Sequence, residues 1–362
     1  MKNILVTGGA GFIGSNFVHY LQRVEPDVQI INLDILTYAG SLENLTDLPD
    51  AGRHTFVKGD ICDRPLVDDL LRRYQIDTIV HFAAETHVDR SILNPEPFIR
   101  TNTLGAFTLL EAARRYWLEE QQAPATGQLS RLRFHHISTD EVFGSLRPDE
   151  PAWTEATPYA PNSPYAASKA ASDHLVRAYG HTYGLPVTIT NCSNNYGPRQ
   201  FPEKLIPLMI ANGMHGRPLP VYGDGQQIRE WLYVDDHCDA IWTVLCKGQP
   251  GETYNIGGGN QPANLLVVRT LCEILDECLP TAPSVPHESL IRFVTDRPGH
   301  DRRYAMDITK IQTELGWQPR HSLAQGLMAT VEWYLQHQEW VQAIQKQREY
   351  QDWLAKNYSE RK

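Results

Sequence analysis

The chain has 362 residues, 41% hydrophobic and 21% charged, with a formal net charge of -10. This is an ordinary globular composition, long enough for a large core and two subdomains, and its acidity argues against nucleic acid as a general partner. No apolar run approaches the ~20 residues of a membrane span, and Cys62, Cys192, Cys238, Cys246, Cys272 and Cys278 form no C-x-x-C pair and no metal-like cluster with histidine, as expected of reduced thiols in a cytoplasmic protein with no metal site.

The opening "MKNILVTGG" runs straight into a strand and a glycine turn, so no cleaved leader is expected. "NILVTG" is the first predicted strand. "GGAGFIGS" then supplies Gly8, Gly11 and Gly14, with Phe12 and Ile13 between them. Glycines at this spacing allow a tight turn, close approach of backbone to a diphosphate, and close packing of helix on strand. Ile13, Phe17 and Leu21 fall at helical spacing, and the amides at that helix start point at the phosphates. "VQIINLD" is the second strand. It ends on Asp34, 20 residues past Gly14, where a carboxylate can accept hydrogen bonds from ribose hydroxyls. Ile35, Leu36 and Thr37 offer no arginine for a 2′-phosphate, so NAD is favoured over NADP.

"HTFVKGD" and "DTIVHFAA" are the third and fourth strands. Asp60 and Ile61 close the third where an adenine edge would lie. Phe82, Ala83 and Ala84 end the fourth, the alanines small enough to let a cofactor pass close by. A long helical pattern over 98–116 follows, and "EEQQAPATGQLS" (119–130) reads as an exposed loop. "LRFHHIS" is the fifth strand, and "STDE" brings Thr139, Asp140 and Glu141 to its end. "NSPYAASKAASDHLVRAY" starts a helix, with Ser163 as N-cap and Pro164 at the first position. Tyr165 and Lys169 are then one turn apart on one face. An ammonium and a positive nicotinamide nearby would favour the phenolate, which could accept a proton from a sugar hydroxyl. "LPVTITN" is the sixth strand.

Nearly continuous apolar strands alternating with helices predict an α/β fold, a Rossmann-type doubly wound parallel sheet. We assign residues 1–196 to it, with 231–257 returning, and 197–362 mainly to a smaller, interleaved C-terminal unit for substrate.

These motifs together resemble the extended short-chain dehydrogenase/reductase superfamily, and more closely its nucleotide-sugar 4,6-dehydratases acting on dTDP-glucose. The resemblance covers nearly the whole chain. It includes "TGGAGFIGS", "LTYAGSLENL", "AAETHVDRS", "HHISTDEVFG", "SPYAASKAASDHLV", "TNCSNNYGP", "FPEKLIPL", "QIREWLYVDDH", "YNIGG" and "DRPGHDRRYAMD". The glycine and Tyr/Lys motifs are superfamily-wide, whereas "STDEV" and "DRPGHDRRY" are more specific. Thr86 stands where the family has Ser, and Phe143 where it often has Tyr.

The resemblance implies oxidation at the glucose carbon 4 by NAD with Tyr165, Lys169 and Thr139, elimination of water across carbons 5 and 6 with Asp140 as acid and Glu141 as base, and hydride return to carbon 6. Thr101 and Asn195 join the cofactor-side residues. The substrate set is Thr86, Thr139, Asn194, Lys204, Leu205, Pro220, Val221, Tyr222, Arg229, Asn264 and the run Asp296, Arg297, Pro298, Gly299, His300. A homodimer through a four-helix bundle is also implied, with no membrane or nucleic-acid partner. The sequence leaves open which carboxylate holds a proton, and whether the nucleotide is dTDP or UDP. A related 4-epimerase or decarboxylase, or a non-catalytic NAD-binding sensor, stands as the alternative.

Overall fold

The computed structural model describes residues 1–296 and 301–346. Each of the six predicted apolar runs holds a strand: β1 (Asn3–Thr7), β2 (Gln29–Asp34), β3 (His54–Lys58), β4 (Thr78–His81), β5 (Arg133–Thr139) and β6 (Val187–Cys192). Further along come β7 (Asn194–Tyr196), β8 (Leu219–Tyr222), β9 (Trp231–Tyr233), β10 (Thr253–Ile256) and β11 (Ile291–Val294). The main sheet is parallel, in the order β10-β6-β5-β4-β1-β2-β3. The order reverses between β1 and β4, where Thr7 lies beside His81. A doubly wound sheet opens its ligand crevice at the carboxyl ends of the strands on either side of that point.

Helices cover both faces, so β4 and β6 are buried along their whole length and β1 at all but its first residue. α1 (Phe12–Val24) buries Phe17, Val18 and Leu21 against the sheet and against Val234, Cys238 and Ile241 of the helix over Val234–Lys247. Each such side chain contributes on the order of 1.5–3 kcal/mol. The helices between are α2 (Arg64–Arg73), α3 (Val88–Leu93), α4 (Ala106–Ala113), α5 (Pro164–Tyr183) and α6 (Leu205–Gly213), followed by α7 (Val234–Lys247). α5 begins as its sequence predicts: Ser163 Oγ accepts the Ala166 amide at 3.1 Å, and Gly184 ends the helix at φ 67°.

Residues 119–130, expected to be an exposed loop, are mostly helical. Wide turns at Ile99–Gly105 and Arg114–Glu120 extend α4 in both directions, and short turns at Ala123–Thr126 and Leu129–Arg131 follow. Ala123 is fully buried beside Trp117 and Leu132, so apolar anchors hold this polar stretch on the core.

A second core forms from α6, β8, α8 (Asn264–Cys278) and α9 (Leu323–Gln336), through residues such as Met209, Val221, Leu271 and Val331. β7 leaves the main sheet to pair with β9, and β8 pairs with β11. The chain crosses between the two cores and returns to the main sheet at β10. The cleft lies between them.

Candidate functional site

At the cofactor end of the cleft, Gly8 N donates to Leu33 O at 2.9 Å and turns the chain at φ 73°. A Cβ on Gly8 would lie 2.6 Å from Ala83 N, and one on Gly14 would lie 2.3 Å from Gly8 O. A Cβ on Gly11 would meet Gly8 O alone, at 3.3 Å; that residue faces the cleft. The turn is therefore packed on its protein side and bare on its ligand side, as a diphosphate requires.

Asp34 Oδ2 accepts the Ala10 amide at 2.9 Å and Oδ1 the Leu36 amide at 2.8 Å. Burial pushes its carboxyl upward, and those two amides oppose the push. Two carboxylate oxygens offer about four lone-pair sites, so positions remain for ribose hydroxyls. These residues fit NAD. Asp34→Asn keeps the shape and removes the charge; it is expected to weaken NAD about tenfold and narrow the preference over NADP, by loss of a charge-assisted hydrogen bond. Titration of both cofactors checks this. Equal affinity of the unmodified chain for NAD and NADP would contradict it.

Gly8, Gly11, Phe12, Ile13, Gly14, Asp34, Ile35, Thr37, Asp60, Ile61, Phe82, Ala83, Ala84, Thr101 and Asn195 line one continuous cleft with Tyr165 and Lys169. Leu36 does not line it; it turns away at φ 59°. The Asn195 side chain is held by His237 Nδ1 at 2.8 Å and donates to Ser193 O at 2.9 Å.

At the other end β5 stops on Thr139, whose hydroxyl caps the turn Asp140–Phe143 and contacts both Asp140 Oδ1, at 3.2 Å, and the Tyr165 phenol. Asp140 is 2% exposed, and its Oδ2 has no hydrogen-bond partner among the described residues. Burial first, then the charges of Glu141 and Glu230, drive its carboxyl well above the usual range. Of the adjacent pair, Asp140 is thus the one built to hold a proton, while Glu141 is half-buried in the cleft wall. Tyr165 is also pushed up, by burial and then by Glu141. Lys169 is lowered to about 8 by burial, and its Nζ donates to Ile137 O at 2.7 Å.

Thr86, Asn194, Lys204, Leu205, Pro220, Tyr222, Arg229 and Asn264 complete this wall. Arg229 donates to Ile228 O and Asp301 O, and its guanidinium lies 4.2 Å from the Tyr304 ring centre. Val221 is not in the wall. β8 alternates, so Pro220 and Tyr222 face the cleft while Val221 points into the second core. Asp296 is not in the wall either; its Oδ2 accepts from Gln227 Nε2 at 2.8 Å. Arg297, Pro298, Gly299 and His300 lie outside the described residues.

The cleft also holds polar residues that were not singled out from sequence: Cys192, Ser193, Gln200, Glu203 and Trp231. Ser193 Oγ, Gln200 Oε1 and Trp231 Nε1, with Asn194 Oδ1 and Asn264 Oδ1, have no hydrogen-bond partner among the described residues. Buried polar atoms left so in one wall suit a ligand rich in hydroxyl and phosphate oxygens. The signal for them was adjacency: Glu203 precedes Lys204 in "FPEKLIPL", and Cys192 and Ser193 precede Asn194 in "TNCSNNYGP".

A family profile described as GDP-mannose 4,6 dehydratase matches residues 5–330. The dTDP-glucose 4,6-dehydratase of Xanthomonas campestris pv. campestris strain B100 is 57% identical over 344 residues, covering 95% of this chain and 96% of its own. This chain belongs to the dTDP-glucose 4,6-dehydratase family. A solved dehydratase from Streptomyces venezuelae, with NAD bound, is 48% identical with a TM-score of 0.83, over 95% of this chain and 100% of that one. The UDP-glucose 4-epimerase of Thermotoga maritima shares the fold at a TM-score of 0.79 but only 29% identity, over 92% of this chain and 99% of that one. Membership in the dehydratase family therefore rests on more than the shared sheet. Among the described residues no helix is long and apolar enough to cross a membrane, and no His/Cys/Asp/Glu group could hold a metal ion.

Proposed function

We propose that this chain converts dTDP-glucose to dTDP-4-keto-6-deoxyglucose, with NAD as a recycled cofactor. The observation that carries this is the buried Asp140 carboxyl, raised and with a spare oxygen, beside Glu141 and Tyr165 in one cleft. An epimerase has no elimination to catalyse and no use for such an acid–base pair.

When bound, NAD accepts hydride from carbon 4 and gives it back at carbon 6. Thr139 and Tyr165 hold the carbon 4 hydroxyl, and Tyr165 takes its proton. The Lys169 ammonium favours the phenolate that does so. The new ketone acidifies the hydrogen on carbon 5, and Glu141 removes it. Asp140 gives its proton to the carbon 6 hydroxyl, which leaves as water. Glu141 then returns a proton to carbon 5. Two carboxyl groups in different surroundings divide acid from base here, as environment commonly arranges.

The orphaned Asn194, Trp231 and Asn264 atoms, with Lys204 and Arg229, support binding of the sugar nucleotide, a planar guanidinium suiting diphosphate oxygens. Tyr222 is available to stack on the base, and Thr86 keeps the hydroxyl of the usual serine. Incubation with dTDP-glucose is expected to give a sugar with the alkali-induced absorbance of a 4-ketone. A product without that absorbance would favour an epimerase, and an unchanged substrate a binding protein.

The reading extends to a cytoplasmic homodimer. Six free cysteines suit a reducing compartment. Ile92, Leu93, Ile99, Leu104, Phe107 and Tyr183 are large, apolar and exposed, all on α3, the extended α4 stretch and the end of α5. Pairing these helices across a two-fold axis covers them. Light scattering at micromolar concentration is expected to give twice the chain mass; a monomer would refute the dimer.

A further inference from the structure

Tyr165, Lys169 and Asp173 stand at i, i+4 and i+8, on one face of α5. Tyr165 and Lys169 reach the cleft; Asp173 does not, and it is fully buried. Its Oδ2 accepts from Ser138 Oγ at 2.7 Å and from the Tyr159 hydroxyl at 2.9 Å. Its Oδ1 lies 3.2 Å from His136 Nε2, and that same nitrogen lies 3.4 Å from Lys169 Nζ. One imidazole thus separates a buried ammonium from a buried carboxylate.

The titratable groups facing Lys169 are His81 from β4, His136 from β5, Cys192 from β6, and Tyr165 and Asp173 from its own helix. Burial drives both imidazoles well below the ordinary histidine value, and Lys169 discourages a second positive charge beside it. Cys192 is pushed up to about 12 and stays a thiol. Burial pushes the Asp173 carboxyl upward, and Lys169 first, then the Ser138 and Tyr159 hydroxyls, oppose that push and favour its ionised form. Asp173 is the group among these that supplies a steady negative charge to Lys169, and it opposes the lowering that burial imposes on the ammonium.

We propose that Asp173 is a positioning residue whose charge, set just behind the His136 ring, holds Lys169 as a fixed ammonium behind Tyr165. The proposal rests on the reading of Tyr165 as proton acceptor in carbon 4 oxidation. Asp173→Asn keeps an acceptor for Ser138 and Tyr159 and removes the charge. The NAD-loaded enzyme, with 13Cε-labelled lysine and the Lys169 signal assigned through Lys169→Met, gives the titration directly. The midpoint of Lys169 is expected to fall by about one pH unit in Asp173→Asn, as for loss of a nearby opposite charge. The alkaline limb of the single-turnover oxidation step should move down with it.

A folded Asp173→Asn enzyme whose Lys169 titration does not move overturns the proposal. If that variant does not fold, Tyr159→Phe removes one of the two hydroxyls that keep Asp173 ionised. It should move the Lys169 midpoint the same way by less, and an unmoved midpoint there also overturns it. Should the unmodified enzyme fail to oxidise dTDP-glucose while the midpoint still falls in Asp173→Asn, the substrate reading fails and the coupling of Asp173 to Lys169 stands.

Discussion

Glu141→Gln is expected to slow turnover by about 10²–10⁴-fold, the usual contribution of a positioned base, and to leave carbon 4 oxidation intact. Glutamine keeps the side chain's shape beside Asp140 and cannot take the carbon 5 proton. The proposed machinery of hydride transfer to bound NAD, Tyr165, Lys169 and Thr139, stays in place, and loss of the Glu141 charge removes one influence that raises Tyr165, which favours its phenolate. Substrate should therefore be oxidised and then stall. The absorbance band of reduced cofactor should build up, and exchange of the carbon 5 hydrogen with deuterated water should nearly cease. Normal turnover in this variant would remove Glu141 from the mechanism. Its loss also takes away a charge that raises Asp140, so the acid should titrate lower in the variant, and any residual elimination should fail at a lower pH.

Tyr165→Phe should fail one step earlier. The phenol is buried and in contact with Thr139, and removing its oxygen deletes the proposed proton acceptor for the carbon 4 hydroxyl. A loss of about 10²–10⁴-fold in the oxidation step is expected, with little reduced cofactor formed under the conditions where Glu141→Gln accumulates it. Stopped-flow absorbance separates the two variants. The opposite pattern, much reduced cofactor in Tyr165→Phe and none in Glu141→Gln, would reverse the roles of the two residues.

The two variants probe the part of the site that sequence exposed best. Glycines at 8, 11 and 14 and an acid at 34 are fixed by one local unit, β1, α1 and the end of β2, so spacing alone displays them. Tyr165 and Lys169 are one turn apart on a single helix, again a local relation. Asp140 and Glu141 are legible from the residues as a pair, and only the family resemblance divides them into acid and base. The proposed division is supported by the burial of Asp140, which depends on how the turn after β5 is covered by distant segments; Glu230, 90 residues further along, adds to the upward push on that carboxyl.

Side-chain direction was the other limit. Val221 follows Pro220 and precedes Tyr222, yet a strand alternates its faces, and only packing against α6 and α8 decides which face looks inward. The polar look of 119–130 hid its apolar anchors, Ala123 and Leu129, which matter only once the core they touch is formed. Asp173 carried a visible signal, the i+4 spacing from Lys169. It gains meaning through His136 and Ser138, which reach it from another element.

The central claim is that one hydride leaves carbon 4 and comes back at carbon 6 of the same sugar, with water lost between. Incubating the NAD-loaded enzyme with dTDP-glucose deuterated at carbon 4 tests this directly. The account predicts a 4-keto-6-deoxy product with the deuterium on carbon 6, detected by NMR and mass. A product that keeps deuterium at carbon 4, as an epimerase would give, or one that forms the 4-keto-6-deoxy sugar with no label at carbon 6, would contradict it.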